Sequence, residues 1–225
     1  MSQIVAVAGP SGSGKSTAVR GLPPEETAII NVVGKDLPFK GWKKHYNKDS
    51  KNYVEEHRSS KIVNTMQWFS NEKPEIKNLV IDDAQYVLAT EFVDRALEKG
   101  YDKWSEMAQH LFNLVSPKLH SKLRDDLTIF FLFHTEAASD GSKEKIKTSG
   151  KLIDQHVTLE GLFTIVLFAE VKPPEESDGR AQYFFRTQTD GKKTAKSPEG
   201  MFEDVLIEND LGLVKRRMVE YYHGE

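Results

Sequence analysis

The run Gly9-Pro10-Ser11-Gly12-Ser13-Gly14-Lys15-Ser16-Thr17 sets glycines, a lysine and hydroxyls at a spacing suited to polyphosphate. Glycines let the backbone curl so that its N–H groups converge on phosphate oxygens. Lys15 supplies a positive charge for the outer phosphates, and the Ser16 hydroxyl is a ligand for magnesium. The run matches the Walker A pattern in full, and it lies between a strand-like stretch, Ile4 to Ala8, and a helix expected from Lys15. The positive end of that helix adds to the cradle. A Gly/Ser-rich turn with no ligand is the bland alternative, and the full match in this context argues against it. All of Gly9 to Thr17 are therefore candidate contacts for ATP or GTP with Mg2+, with Lys15 also catalytic.

A magnesium-loaded nucleotide needs a carboxylate at the end of a neighbouring strand. Leu79-Val80-Ile81-Asp82-Asp83 provides one, with apolar residues that bury the strand and Asp82 emerging at its carboxyl edge. Asp82 is expected to hold magnesium with Ser16, through a water. Asp83 either orients the attacking water or caps the following loop. His134 closes the strand Leu127 to Phe133. It reads as a sensor of the γ-phosphate, or as a strand-end histidine satisfied by backbone.

The elements that must position these groups alternate between short apolar runs and helical patterns, which predicts a mostly parallel sheet flanked by helices. Strands are expected at Ile4–Ala8, Thr27–Val33, Leu79–Ile81, Leu127–Phe133, Phe163–Ala169 and, last, Gln182–Thr189 before the Asp190-Gly191 turn. Ile62, Met66 and Phe69 recur at helical spacing, predicting a helix over Lys61–Asn71 with Ser60 as its cap. A helix over Glu91–Lys99 is expected to be capped by Thr90 and stopped by Gly100. Asp102 should begin a longer helix that Pro117 divides. Leu211, Val214, Met218 and Tyr221 mark a closing amphipathic helix.

The 225 residues carry 31 basic and 34 acidic side chains, for a net charge of −3, so no global field draws in nucleic acid. Hydrophobic residues at 38% and charged residues at 29% fit a folded protein, and the lack of cysteine excludes disulfides and thiolate chemistry. With no linker or repeat visible, one domain over 1–225 is expected. No apolar run approaches membrane-spanning length, and Met1-Ser2-Gln3 lacks the basic flank of a signal peptide, so no membrane contact and a cytoplasmic location are expected.

The order of features resembles the RecA-like ATPases, and more closely the phage-encoded AAA-type ATP-binding proteins that include RecA-like single-strand annealing proteins. Gly34-Lys35-Asp36-Leu37-Pro38-Phe39, Leu79 to Asp83, Gly161 to Val166, Tyr183-Phe184-Phe185-Arg186-Thr187 and Thr194-Ala195-Lys196-Ser197-Pro198 carry the resemblance. It implies an α/β RecA-like P-loop core with antiparallel strands at the carboxyl-terminal side. It implies as well ATP with Mg2+, a homo-oligomer as ring or filament, single-stranded DNA as partner, a single-strand binding protein as a further partner, and the host cytoplasm if phage-encoded. In such proteins a loop after the sensor strand contacts DNA. Here that is Glu136 to His156, with Lys143, Lys145, Lys147 and Lys151; a solvated surface loop is the alternative. A basic residue reaching a neighbour's γ-phosphate would be Arg186, or Lys192, Lys193 or Lys196, although Arg186 could equally form a structural ion pair.

The family's catalytic glutamate after the second strand is missing. Asp36 or Asp83 takes its place, or hydrolysis is slow and ATP acts as an assembly switch. A second basic stretch, Lys35 to Lys61, interleaves Phe39, Trp42, Tyr46 and Tyr53, which read better as anchors against the sheet than as base-stacking rings. The expected activity is annealing or pairing of single strands in phage DNA recombination or replication. The alternatives are a guanylate-kinase-like nucleotide kinase, whose lid would need arginines that 136–156 lacks, and a non-catalytic nucleotide-gated replication partner.

Overall fold

In the strand Thr128–Phe133 every residue is buried, and successive side chains enter opposite hydrophobic layers. Ile129, Phe131 and Phe133 pack on one side of the sheet, Phe130 and Leu132 on the other. That double burial is why the strand reads as a continuous apolar run, and why parallel neighbours suit it. The computed structural model describes residues 1–100, 102–138, 141, 143–148, 158–174 and 179–224.

The strands are β1 Gln3–Ala8, β2 Thr27–Asn31, β3 Tyr53–Glu55, β4 Asn78–Asp82, β5 Thr128–Phe133, β6 Thr135–Ala137, β7 Glu144–Ile146, β8 Ile165–Lys172, β9 Gln182–Arg186 and β10 Leu206–Glu208. An eight-stranded sheet runs β10-β9-β8-β1-β5-β4-β2-β3, parallel from β8 to β3 and antiparallel at β8-β9 and β9-β10. β6 and β7 form a separate antiparallel hairpin. This is the expected α/β fold, a mostly parallel sheet flanked by helices with antiparallel strands on the carboxyl-terminal side.

The helices are α1 Trp42–His45, α2 Ser59–Glu72, α3 Tyr86–Asp94, α4 Asp102–Val115, α5 Pro117–His120 and α6 Leu211–His223. One layer sets Ile62, Met66 and Phe69 of α2 and Met107, Leu111 and Leu114 of α4 against the sheet. The opposite layer sets Leu211, Val214 and Met218 of α6 there, with Ala18 and Val19 from a 3-10 turn, Ser16–Gly21, that stands where an α-helix was expected. Each such large side chain contributes roughly 1.5–3 kcal/mol on burial. Leu37, Tyr46 and Tyr53 are buried in this layer too, with Trp42 tilted on Tyr53 at 5.3 Å, so the aromatics of the Lys35–Lys61 stretch anchor it as expected.

Several boundaries differ from the sequence expectation. Ser60 lies inside α2 instead of capping it, while the Glu56 carboxylate accepts from the N–H groups of His57 and Arg58 at the helix entrance. Thr90 lies inside α3, which begins at Tyr86 because Val87 and Leu88 pack into the core. β9 is not last, for β10 pairs beyond it. Pro117 does divide the helices, opening α5 with Ser116 accepting from the Leu119 N–H at 3.4 Å. No helix among the described residues is long and apolar enough to cross a membrane.

Candidate nucleotide site

Strand register brings the candidate residues of β1, β4 and β5 to one edge. Ala8 pairs with Phe133 and Asn31 with Asp82, so the segments after β1, β4 and β5 leave the sheet together at its carboxyl end. In open α/β sheets this is the edge where ligands bind.

The chain turns sharply as it leaves β1. Gly12 and Gly14 take φ of 79° and 87°, a left-handed conformation that side chains rarely adopt. A β-carbon on Gly9 would lie 2.7 Å from Ser13 Oγ and 3.0 Å from Ala169 Cβ, so the cradle is closed to a larger residue there. Lys15 folds back over the loop, donating to the carbonyls of Gly9 at 2.7 Å and Pro10 at 2.8 Å. Burial lowers its pKa to about 8, against the pull of Asp83 and Asp82. Its charge is thus poorly solvated and held beside the glycines, where an anion would be strongly favoured.

The Ser16 hydroxyl donates to Asp82 Oδ1 at 2.7 Å, joining the loop to the end of β4. Asp82 is fully buried, and its Oδ2 has no hydrogen-bond partner among the described residues. Burial, then the neighbouring Asp83, raises its pKa to about 6. A buried carboxylate oxygen left unmatched, next to a hydroxyl, is the donor set that Mg2+ accepts: hard oxygens, few of them from protein. The residues present therefore fit a magnesium-bound phosphate.

Asp83 turns back at φ 59°, unusual for a residue with a side chain. Its carboxylate is ion-paired with Lys35 and has His134 Nε2 3.2 Å from Oδ1. Burial pushes its pKa up, but His134 and Lys35 outweigh that and hold it below the usual range. Lys35 reaches Asp83 because the Asn31 side chain builds the turn before it: Oδ1 accepts from the Gly34 N–H at 2.9 Å, and Nδ2 donates to the Lys35 carbonyl at 2.6 Å. The resulting cleft has a volume of about 600 Å³, and its lining includes Lys15, Ser16, Lys35, Asp83 and His134, with Tyr183 and Asn209 at its far end.

A family model described as AAA domain matches residues 1–198. The chain belongs to the AAA domain family. That family is one of P-loop nucleotide-binding ATPases, and the fold and loop geometry of this AAA domain agree with it. No curated protein matches the chain.

The remaining candidates of this AAA domain are spread more widely. Arg186 lies outside the cleft, its guanidinium bonded to both carboxylate oxygens of Glu170 at 2.5 and 3.3 Å, with Lys193 on the same carboxylate at 2.9 Å. Lys196 joins β8 through backbone bonds with Val166, and Lys192 is exposed at the turn. Asp36 also lines the cleft but is largely exposed, paired with Lys43 at 3.1 Å. The segment expected as a basic loop, Glu136 to His156, holds most of the β6-β7 hairpin. Lys143 and Lys147 are exposed on it, Lys145 Nζ is 3.5 Å from Glu136, and Lys151 lies outside the described residues. The hairpin, Pro10 of the phosphate loop and Lys192 and Lys193 enclose a second cavity of about 370 Å³. The sequence places Lys35 in a basic stretch and in one of the segments that carry the resemblance but assigns it no role, and it does not single out Asn209 or the side chain of Tyr183. The pairing of Asn31 with a glycine three residues on was the available signal for a structured turn at Lys35.

Proposed function

We propose that this AAA domain binds ATP with Mg2+ at Gly9 to Thr17, hydrolyses it, and uses the cycle to control binding of single-stranded DNA, in annealing or pairing of strands during phage recombination or replication. The observation that carries the nucleotide part is the Ser16–Asp82 bond with the second carboxylate oxygen unmatched. Ser16 and Asp82 would hold the metal, whose chemistry is to neutralise charge on the outer phosphates. Lys15 supplies a further positive charge. Asp83 substitutes for the missing glutamate in preference to Asp36, since it is buried in the cleft and kept ionised by Lys35 and His134. It can hold a water and take up its proton.

The DNA part is supported by connectivity. β6 follows His134 directly, and the Lys147 N–H donates to the His134 carbonyl at 2.8 Å, so a shift at His134 moves the lysine-bearing hairpin. In a ring or filament of copies, exposed Lys192 is more available to a neighbour's phosphates than Arg186, which Glu170 holds.

ATP hydrolysis measured with and without single-stranded DNA, and separately with nucleoside monophosphates, tests the reading. DNA-stimulated hydrolysis and loss of Mg2+-dependent ATP binding in Lys15→Ala are expected; phosphoryl transfer to a monophosphate would replace the reading with a kinase. Changing Lys143, Lys145 and Lys147 to Ala should weaken single-strand binding and shallow its log–log salt dependence by ~0.7 for each phosphate no longer neutralised. An unchanged slope in salt titrations of the triple variant removes the hairpin from the interface.

A further inference from the structure

We propose that the nucleoside half of the nucleotide is held on the β9-β10 side of the phosphate loop, with its base against the Tyr183 ring and a base or sugar atom accepting from Asn209 Nδ2. This rests on the nucleotide reading above. The sheet order fixes the direction: β5 and β4 lie on one side of β1, and β8, β9 and β10 on the other. Ser16 and Asp82 put the metal-binding oxygens, and with them the outer phosphates, on the β5-β4 side. A phosphate chain running back across the glycines therefore delivers its nucleoside toward β9 and β10, from which Tyr183, Glu208 and the following Asn209 join the cleft lining.

Two independent features mark that end as a ligand surface. Tyr183 is 43% exposed although it is a large aromatic on a paired strand, opposite Val171. Its ring edge stands at the loop, since a β-carbon on Gly14 would lie 3.0 Å from Cδ1. An aromatic face fixed by backbone pairing and open to the cleft is a stacking platform for a base. Asn209 is the opposite case, a polar side chain only 6% exposed. Its Oδ1 would be 3.0 Å from the same Gly14 β-carbon, while its Nδ2 has no hydrogen-bond partner among the described residues. Buried amide donors are normally satisfied, so this one, in the wall of the cleft, fits an acceptor that a ligand brings.

The test compares Mg-ATP with magnesium tripolyphosphate, which has the phosphates and no nucleoside, in direct binding titrations. Tyr183→Ala should weaken ATP binding by about tenfold and leave tripolyphosphate binding within about twofold, in keeping with the loss of one stacked base. Tyr183→Phe should restore ATP binding, and Asn209→Ala should weaken ATP selectively as well. Wild-type ATP affinity in Tyr183→Ala, or equal loss of both ligands, overturns the nucleoside site, while the phosphate-loop reading still stands on the wild-type protein's binding of tripolyphosphate. A wild-type protein that binds neither ligand overturns the nucleotide reading itself.

Discussion

Asp83 combines three costs that a merely structural residue would avoid: burial, a left-handed backbone and a charge beside the ionisable Asp82. Lys35 and His134 offset the electrostatic part, which leaves a carboxylate ionised at neutral pH in the cleft. If it orients water and accepts its proton, Asp83→Asn keeps the shape and removes the base. Single-turnover hydrolysis should then fall by about 10²–10⁴-fold with ATP affinity changed only a few-fold; equal rates in variant and wild type would reduce Asp83 to a loop anchor. The places of Gly9 to Thr17, Asp82, Asp83 and His134 at one sheet edge were legible in the sequence because each is marked locally, as a motif or a strand end. Lys35 and Asn209 were not, because their positions depend on a turn built by Asn31 and on β10, a short strand with no periodic signal.

Among the elements, the phosphate-loop turn Ser16–Gly21 and α6 meet through glycine. A β-carbon on Gly212 would lie 2.1 Å from the Gly21 carbonyl oxygen, and one on Gly21 would lie 2.0 Å from Asp210 Oδ1. Asp210 is also the cap of α6, accepting from the Leu213 N–H at 3.0 Å. Backbone cannot yield as a flexible side chain does, so Gly212→Ala must push the turn and helix apart. About 1–3 kcal/mol of stability should be lost, visible in urea melts, together with a several-fold weaker ATP affinity because the turn carries Ser16 and Thr17. A melt superimposable on the wild type would show that the close approach relaxes freely. The long strands were legible as continuous apolar runs, because both of their faces are buried, and α2, α4 and α6 because burial of one face writes a helical period into their sequences. The short β3, β6, β7 and β10 hold too few residues to show one. α3 was misplaced because its exposed Phe92 and Val93 resemble a core face, and its true start at Tyr86 has no side-chain cap.

At the scale of the whole molecule, a buried histidine ties the start of the chain to one of the two layers at the amino edge of the sheet. His120 is fully buried, with Nε2 2.9 Å from the Leu114 carbonyl and Nδ1 3.0 Å from Ser2 Oγ, tying the start of the chain to the end of α4. These partners suit the neutral ring, with Nε2 donating and Nδ1 accepting. Burial lowers its pKa, so the folded protein resists taking up a proton that the unfolded chain binds near pH 6.5. Stability from this group is therefore complete above about pH 6.5 and declines as pH falls below it, by up to ~1.4 kcal/mol per pH unit. Asp82 acts in the opposite sense: its raised pKa, about 6, lets the folded state bind a proton first, which favours folding as pH falls through that value. The measurement that isolates His120 is the difference between wild type and His120→Gln in urea unfolding from pH 8 to 5. The variant should be less stable at pH 8, and the gap should narrow below about pH 6.5. A constant gap across that range would mean that the folded and unfolded chains protonate His120 alike, and would remove it as the source of pH dependence at this seam.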